Sequence, residues 1–157
     1  MDLLWQELTL GLSSGRQTAQ MLIRVIVAVV LGYLVGMQRE KAGKPAGVRT
    51  HMLVCLATAV VVLACAGTGM NLDAQSRVIQ GIVTGIGFIG AGSILKLSDQ
   101  RDIQGLTTAA GLWMTAAIGI ACGVGTVGIA LITAVLTVIV LALAGVIENR
   151  TQKKDQK

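Results

Sequence analysis

Long uncharged stretches alternate with short polar, basic segments along this chain, and the longest, 103–147, carries no Asp, Glu, Lys, Arg or His. A helix needs roughly 20 mainly apolar residues to cross the hydrocarbon core of a bilayer, so this stretch suffices for two crossings. Its middle, GVGTVG over 123–128, supplies the small residues of a tight turn between them. Further apolar windows bring the predicted helices to five, at 21–37, 52–66, 78–95, 106–122 and 126–147. Before them, residues 3–12 mix Leu and Trp5 with Gln6, Glu7 and Thr9, a pattern suited to the headgroup region, and SSG over 13–15 breaks it. The expected organisation is an interfacial segment 1–20, an all-α integral membrane domain 21–147 forming a compact Gly-rich bundle, and a short basic tail 148–157.

Charge orients the bundle. Arg39, Lys41, Lys44, Arg49, Lys96, Arg101, Arg150, Lys153, Lys154 and Lys157 fall on one side of a five-pass arrangement, and only Arg16, Arg24 and Arg77 on the other. Basic residues favour the cytoplasmic face, which predicts the N-terminus outside and the C-terminus in the cytoplasm. The net charge of +5 does not indicate nucleic acid, because aromatic residues that stack on bases make up only 3% of the chain. Asp2 and Glu7 stand where a secretory leader would be basic, so the first apolar segment is expected to remain in place. Cys55, Cys65 and Cys122 lie in apolar stretches without metal-ligand spacing and read as small hydrophobes. A disulfide between Cys65 and Cys122 near the outer face is the open alternative.

Helices in lipid associate through close packing rather than hydrophobic exclusion, which favours small residues spaced by four. Ala28, Gly32 and Gly36 form such a row in the first helix, Gly81 and Gly85 in the third, and Gly111, Thr115, Gly119 and Gly123 in the fourth. With Gly87, Gly90 and Gly92 around the same cylinder, the third helix is expected to touch neighbours on two sides at the middle of the bundle. Its alternative reading is a locally broken helix whose carbonyls line an ion site.

Magnesium and calcium prefer oxygen ligands that include carboxylates, yet every acidic residue lies in an end or a loop. A cation path through one copy is therefore poorly supported, and neither a metal site nor a cofactor is expected. The densest polar segment is 38–51. Glu40 is expected to pair with Arg39 or Arg49 across the turn at 45–47, with Lys41 and Lys44 facing headgroups. A sharper reading makes Arg39, Glu40 and Arg49 a recognition surface, or a switch together with Asp99 and Asp102. His51 reads as an interfacial hydrogen-bonding residue. Thr107 and Thr108 are expected to cap the fourth helix, and Trp113 to anchor it. No nucleophile, base and orienting group stand at usable spacing, so no enzyme is expected.

Three blocks together, GMQREKAGKPAGVRTHMLV over 36–54, QGIVTGIGFIGAG over 80–92 and GLTTAAGLWMTAAIG over 105–119, resemble the MgtC/SapB family of bacterial inner-membrane proteins. The resemblance covers about residues 20 to 147 and implies a five-helix domain in the bacterial inner membrane with the orientation read from charge. Its motif positions here are Arg39, Glu40, Gly47, Arg49 and Thr50, then Gly85, Gly87, Phe88, Gly90 and Gly92, then Gly105, Thr107, Thr108 and Trp113. Gln38 departs from the acidic residue usual in the family, and a counterpart of the soluble domain of longer relatives is not expected after the fifth helix. The family implies a link to magnesium. The expected function is a non-enzymatic modulator of membrane partners, other proteins or further copies of itself, in adaptation to low magnesium or envelope stress. The alternative is an oligomeric magnesium or other cation transporter.

Overall fold

The computed structural model describes Leu4, residues 14–96 and residues 103–155. Five helices follow in order: α1 (Gly15–Lys41), α2 (Val48–Gly67), α3 (Leu72–Gly92), α4 (Leu106–Val124) and α5 (Val127–Asp155). A two-residue antiparallel ladder between α3 and α4 pairs β1 (Leu95–Lys96) with β2 (Ile103–Gln104) and is the one non-helical element among the described residues. Residues 3–12, apart from Leu4, and the loop acids Asp99 and Asp102 lie outside the described residues.

Helices α1 and α5 extend well beyond the apolar windows that announce them. A helix satisfies its own backbone wherever it runs, so a charged residue in the headgroup region does not end it. Local chemistry ends it instead. Ser14 caps α1 by accepting from the Gln17 amide at 3.3 Å, and Asn71 caps α3 by accepting from the Ala74 amide at 2.9 Å. Between α4 and α5, Gly125 takes a left-handed φ of 100° while its amide and that of Thr126 return to the Ala121 carbonyl, fixing the tight turn expected there. Gly105, at φ 98°, starts α4 against the Ser93 carbonyl, where a Cβ would collide with backbone.

Glycine contacts set the directions of the helices. A methyl on Gly36 would lie 2.6 Å from Val48 Cα, and one on Gly32 would lie 2.7 Å from the His51 carbonyl, so α1 and α2 form a tight antiparallel hairpin. Gly119 rests on Cys55 and Thr58, and Gly123 on Ala59 and Val62, so α2 and α4 run parallel. Helix α3 connects the end of α2 to the start of α4, where its Gly90 meets Ala109. Ala28, Leu31 and Val35 of α1 join Cys55 and Ala59 of α2, Ile118 and Cys122 of α4, and Ala130, Ala134 and Leu141 of α5 in one buried cluster.

Helix α3 departs from the expected arrangement. It touches α2 and α4, but only Ile86 and Gly90 are buried, so it lies against the bundle rather than at its middle. A Cβ on Gly81, Gly85, Gly87 or Gly92 would meet nothing within 4 Å among the described residues. Gly81 thus makes no close contact among the described residues. Four-residue glycine spacing defines a smooth face but does not say which face the bundle takes up, and here the bundle takes up the Ile86–Gly90 side.

Candidate functional site

The largest group of buried polar side chains sits where the C-terminal end of α1 meets the first turns of α2 and α4. Arg39 is 2% exposed and His51 fully buried, with Thr108 and Thr115 beside them. Arg39 was expected in a loop. It belongs to the last turn of α1, where a cation suits the negative end of the helix dipole, and the turn faces α4. Its Nη2 donates to Thr108 Oγ1 at 3.1 Å. Thr108 is therefore an acceptor for Arg39 rather than a cap: α4 is capped at Gly105 without a side-chain bond, and Thr107 is exposed.

His51, expected at the interface, is buried one turn into α2. Thr115 Oγ1 donates to the Gly111 carbonyl at 2.9 Å, so His51 Nδ1–H donates to the same hydroxyl oxygen at 2.6 Å. Nε2 is buried without a hydrogen-bond partner among the described residues. Gly111 lies under the imidazole, where a Cβ would stand in ordinary contact at 3.7 Å from Cε1. Each polar group thus sits over a small residue or a hydroxyl of α4, on the face that runs Thr108, Gly111, Thr115, Gly119, Gly123.

Glu40 also differs from expectation. Its Oε2 accepts from the Val48 amide at 3.0 Å, placing a carboxylate on the positive end of α2, a role the sequence did not announce. This explains the glycine at 47, where a Cβ would lie 2.8 Å from Oε2. Arg49 is exposed and Thr50 half-buried in the first turn of α2.

The structure therefore brings Arg39, Glu40, Gly47, Thr108 and the Gly105 turn to one end of the bundle. It leaves Gly85, Gly87, Phe88 and Gly92 on the open side of α3, with Phe88 84% exposed, and Trp113 half-exposed on α4. Sequence reading did not anticipate the His51–Thr115 pair. Its signal was the row of hydroxyls and glycines at three- and four-residue spacing on α4, read only as packing. Cys55, Cys65 and Cys122 are free and buried, so the Cys65–Cys122 disulfide does not form. Among the described residues no three His, Cys, Asp or Glu side chains gather to hold a metal.

Four helices, all but α3, are long and apolar enough to cross a membrane, and with the glycine contacts that join α1, α2 and α4 they define a helical, multi-pass membrane protein. The sequence pattern of the MgtC family matches residues 25–150, and the chain belongs to that family. It is similar to the protein named "Putative magnesium transporter YhiD" of Escherichia coli (strain K12), at 37% identity over 145 residues, covering 88% of this chain and 66% of the relative. Protein SrpB of Synechococcus elongatus is 36% identical over 130 residues, covering 76% and 71%. Protein MgtC of Salmonella typhimurium (strain LT2) is 39% identical over 104 residues, covering 66% of this chain but only 43% of the relative. No solved structure matches the chain.

Proposed function

We propose that this chain is a non-enzymatic protein of the bacterial inner membrane, linked to magnesium homeostasis, that acts by packing α3 against a transmembrane helix of another membrane protein. The observation that carries this reading is the open face of α3. Gly81, Thr84, Gly85 and Phe88 are exposed there, on the one described helix of the five that falls outside those long and apolar enough to cross a membrane. A smooth glycine surface beside a protruding aromatic suits helix association, and lipid gains less from covering it than from covering the leucine-rich faces of α5. The magnesium link rests on family membership and on the name of the relative at 37% identity.

The parallel course of α2 and α4 supports five crossings. If those two helices cross in the same direction, the chain between them must return through the bilayer, and α3 at 21 residues is about 32 Å long. Together with the bias of basic residues, this supports an outside N-terminus and a cytoplasmic C-terminus.

A photoreactive residue at position 88 tests the association. The expected result is one discrete adduct with another membrane protein, lost together with growth in low magnesium when Gly85→Leu is introduced into a chain that still inserts. Adducts with lipid alone, or only with a second copy, would overturn it.

The name of that same relative favours a second reading, magnesium transport by an oligomer. Inside one protomer a Cβ on Gly32, Gly36, Gly119 or Gly123 would collide with the neighbouring helix, and packing this close speaks against a cation path between α1, α2 and α4. Purified protein in liposomes holding a magnesium-sensitive dye decides between the two: flux that Gly85→Leu abolishes supports transport.

A further inference from the structure

At the opposite end of the bundle from Arg39, a cavity of about 240 Å³ lies between the start of α1 and the end of α2. Gln17, Gln20, Met21 and Arg24 line it from α1, and Leu63, Ala66 and Gly67 line it from α2. Three other grooves between helices are lined mainly by apolar side chains, one of them with Gln38 and Lys41 at its edge, whereas this one gathers a guanidinium and two carboxamides.

Arg24 is anchored. Its Nη1 donates to the Gly123 carbonyl at 3.2 Å, and the guanidinium lies flat on Gly125, where a Cβ would come within 2.5 Å of Nη2. A guanidinium carries five N–H donors and the Gly123 carbonyl takes one, so an oriented cation with donors to give faces the cavity. The carboxamides of Gln17 and Gln20 bring further N–H groups one and two turns away on the same helix face.

The end of α2 is the negative pole of that helix, an opposing influence that its own turn reduces. Its Ala64 and Ala66 carbonyls accept from the Thr68 and Gly69 amides, and the Cys65 carbonyl accepts from the Thr68 hydroxyl at 2.8 Å, so three of its last carbonyls are already engaged. Exposed Arg16 and the positive N-terminal end of α1 add to the same potential. At 27 residues α1 is roughly 40 Å long, about 10 Å more than the hydrocarbon core, so its first turns reach headgroup depth.

We infer that this cavity binds a phosphate oxyanion, with Arg24 as its charged anchor and Gln17 and Gln20 as neutral donors. The oxyanion comes either from a phospholipid headgroup or from free inorganic phosphate. The site is separate from the α3 face and does not depend on the function proposed above.

The test uses the full chain and two variants, the double substitution Gln17→Leu with Gln20→Leu, and Arg24→Gln. One arm titrates detergent-solubilised protein with inorganic phosphate by calorimetry. The other releases protein from vesicles of phosphatidylglycerol and phosphatidylethanolamine in a mass spectrometer and counts retained lipid. Saturable binding in one arm, at least tenfold weaker in the double variant, is expected, and the arm that shows it identifies the source. The double variant leaves the Arg24–Gly123 bond intact, so it decides the question even if Arg24→Gln does not fold. Absence of saturable wild-type binding in both arms, or equal binding by the folded double variant, would overturn the inference.

Discussion

His51 and Thr115, 64 residues apart in the chain, meet in the buried core at 2.6 Å and lock α2 to α4 one turn inside the membrane domain. Removing one partner of a buried hydrogen bond leaves the other unsatisfied and costs about 1–3 kcal/mol, whereas replacing both with apolar groups of similar shape is much milder. Thr115→Val is therefore expected to lower the unfolding temperature in detergent. Combining it with His51→Phe should recover part of that loss, and a strictly additive double variant would disprove the coupling.

Arg39 and Thr108 make a second link between α1 and α4 at the same end. Thr108→Val deletes the acceptor and leaves a buried cation with one contact fewer, at about 1–3 kcal/mol. Arg39→Lys is expected to destabilise as well, since an ammonium on a flexible stem does not reproduce a planar fork. Thermal unfolding of the purified variants checks both.

Glycines of equal rank in the sequence separate sharply in the structure. Gly119→Ala would drive a methyl into Cys55 and Thr58, with an overpacking cost of about 1–3 kcal/mol, while Gly81→Ala meets open space. The Gly81 variant should unfold at or above the wild-type temperature, because alanine is the better helix former by roughly 1 kcal/mol. Equal effects of the two substitutions would show that α3 is as tightly packed as α4.

Glu40 caps α2 through the Val48 amide. Glu40→Ala is expected to cost about 0.5–2 kcal/mol, the usual range for a lost cap. Glu40→Gln keeps an acceptor and should cost less. Both can be read from the same melting curves.

Much of the fold was visible in the chain before any coordinates. Apolar windows located the helices, and Ala28, Gly32, Gly36, Gly119 and Gly123 were found where close packing requires them. The turn at Gly125 followed from local composition. The ends of α1 and α5 were not visible, because charge marks where lipid stops and not where a helix stops. The site was less legible still. Arg39 read as a loop residue, Thr108 as a cap and His51 as interfacial, since a polar residue near the end of an apolar window has the same signature whether it turns toward water or toward a neighbouring helix.

The sequence by itself determined that this is a helical membrane protein of five helices, because hydrocarbon thickness and backbone hydrogen bonding allow few other outcomes for such long uncharged stretches. Only the tertiary structure decided which glycine face is filled and which is open, and that Arg39, His51, Thr108 and Thr115 gather at one buried end. Those choices depend on the direction and rotation of each helix against its neighbours. They are fixed by contacts between residues far apart in the chain, on which local periodicity carries no information.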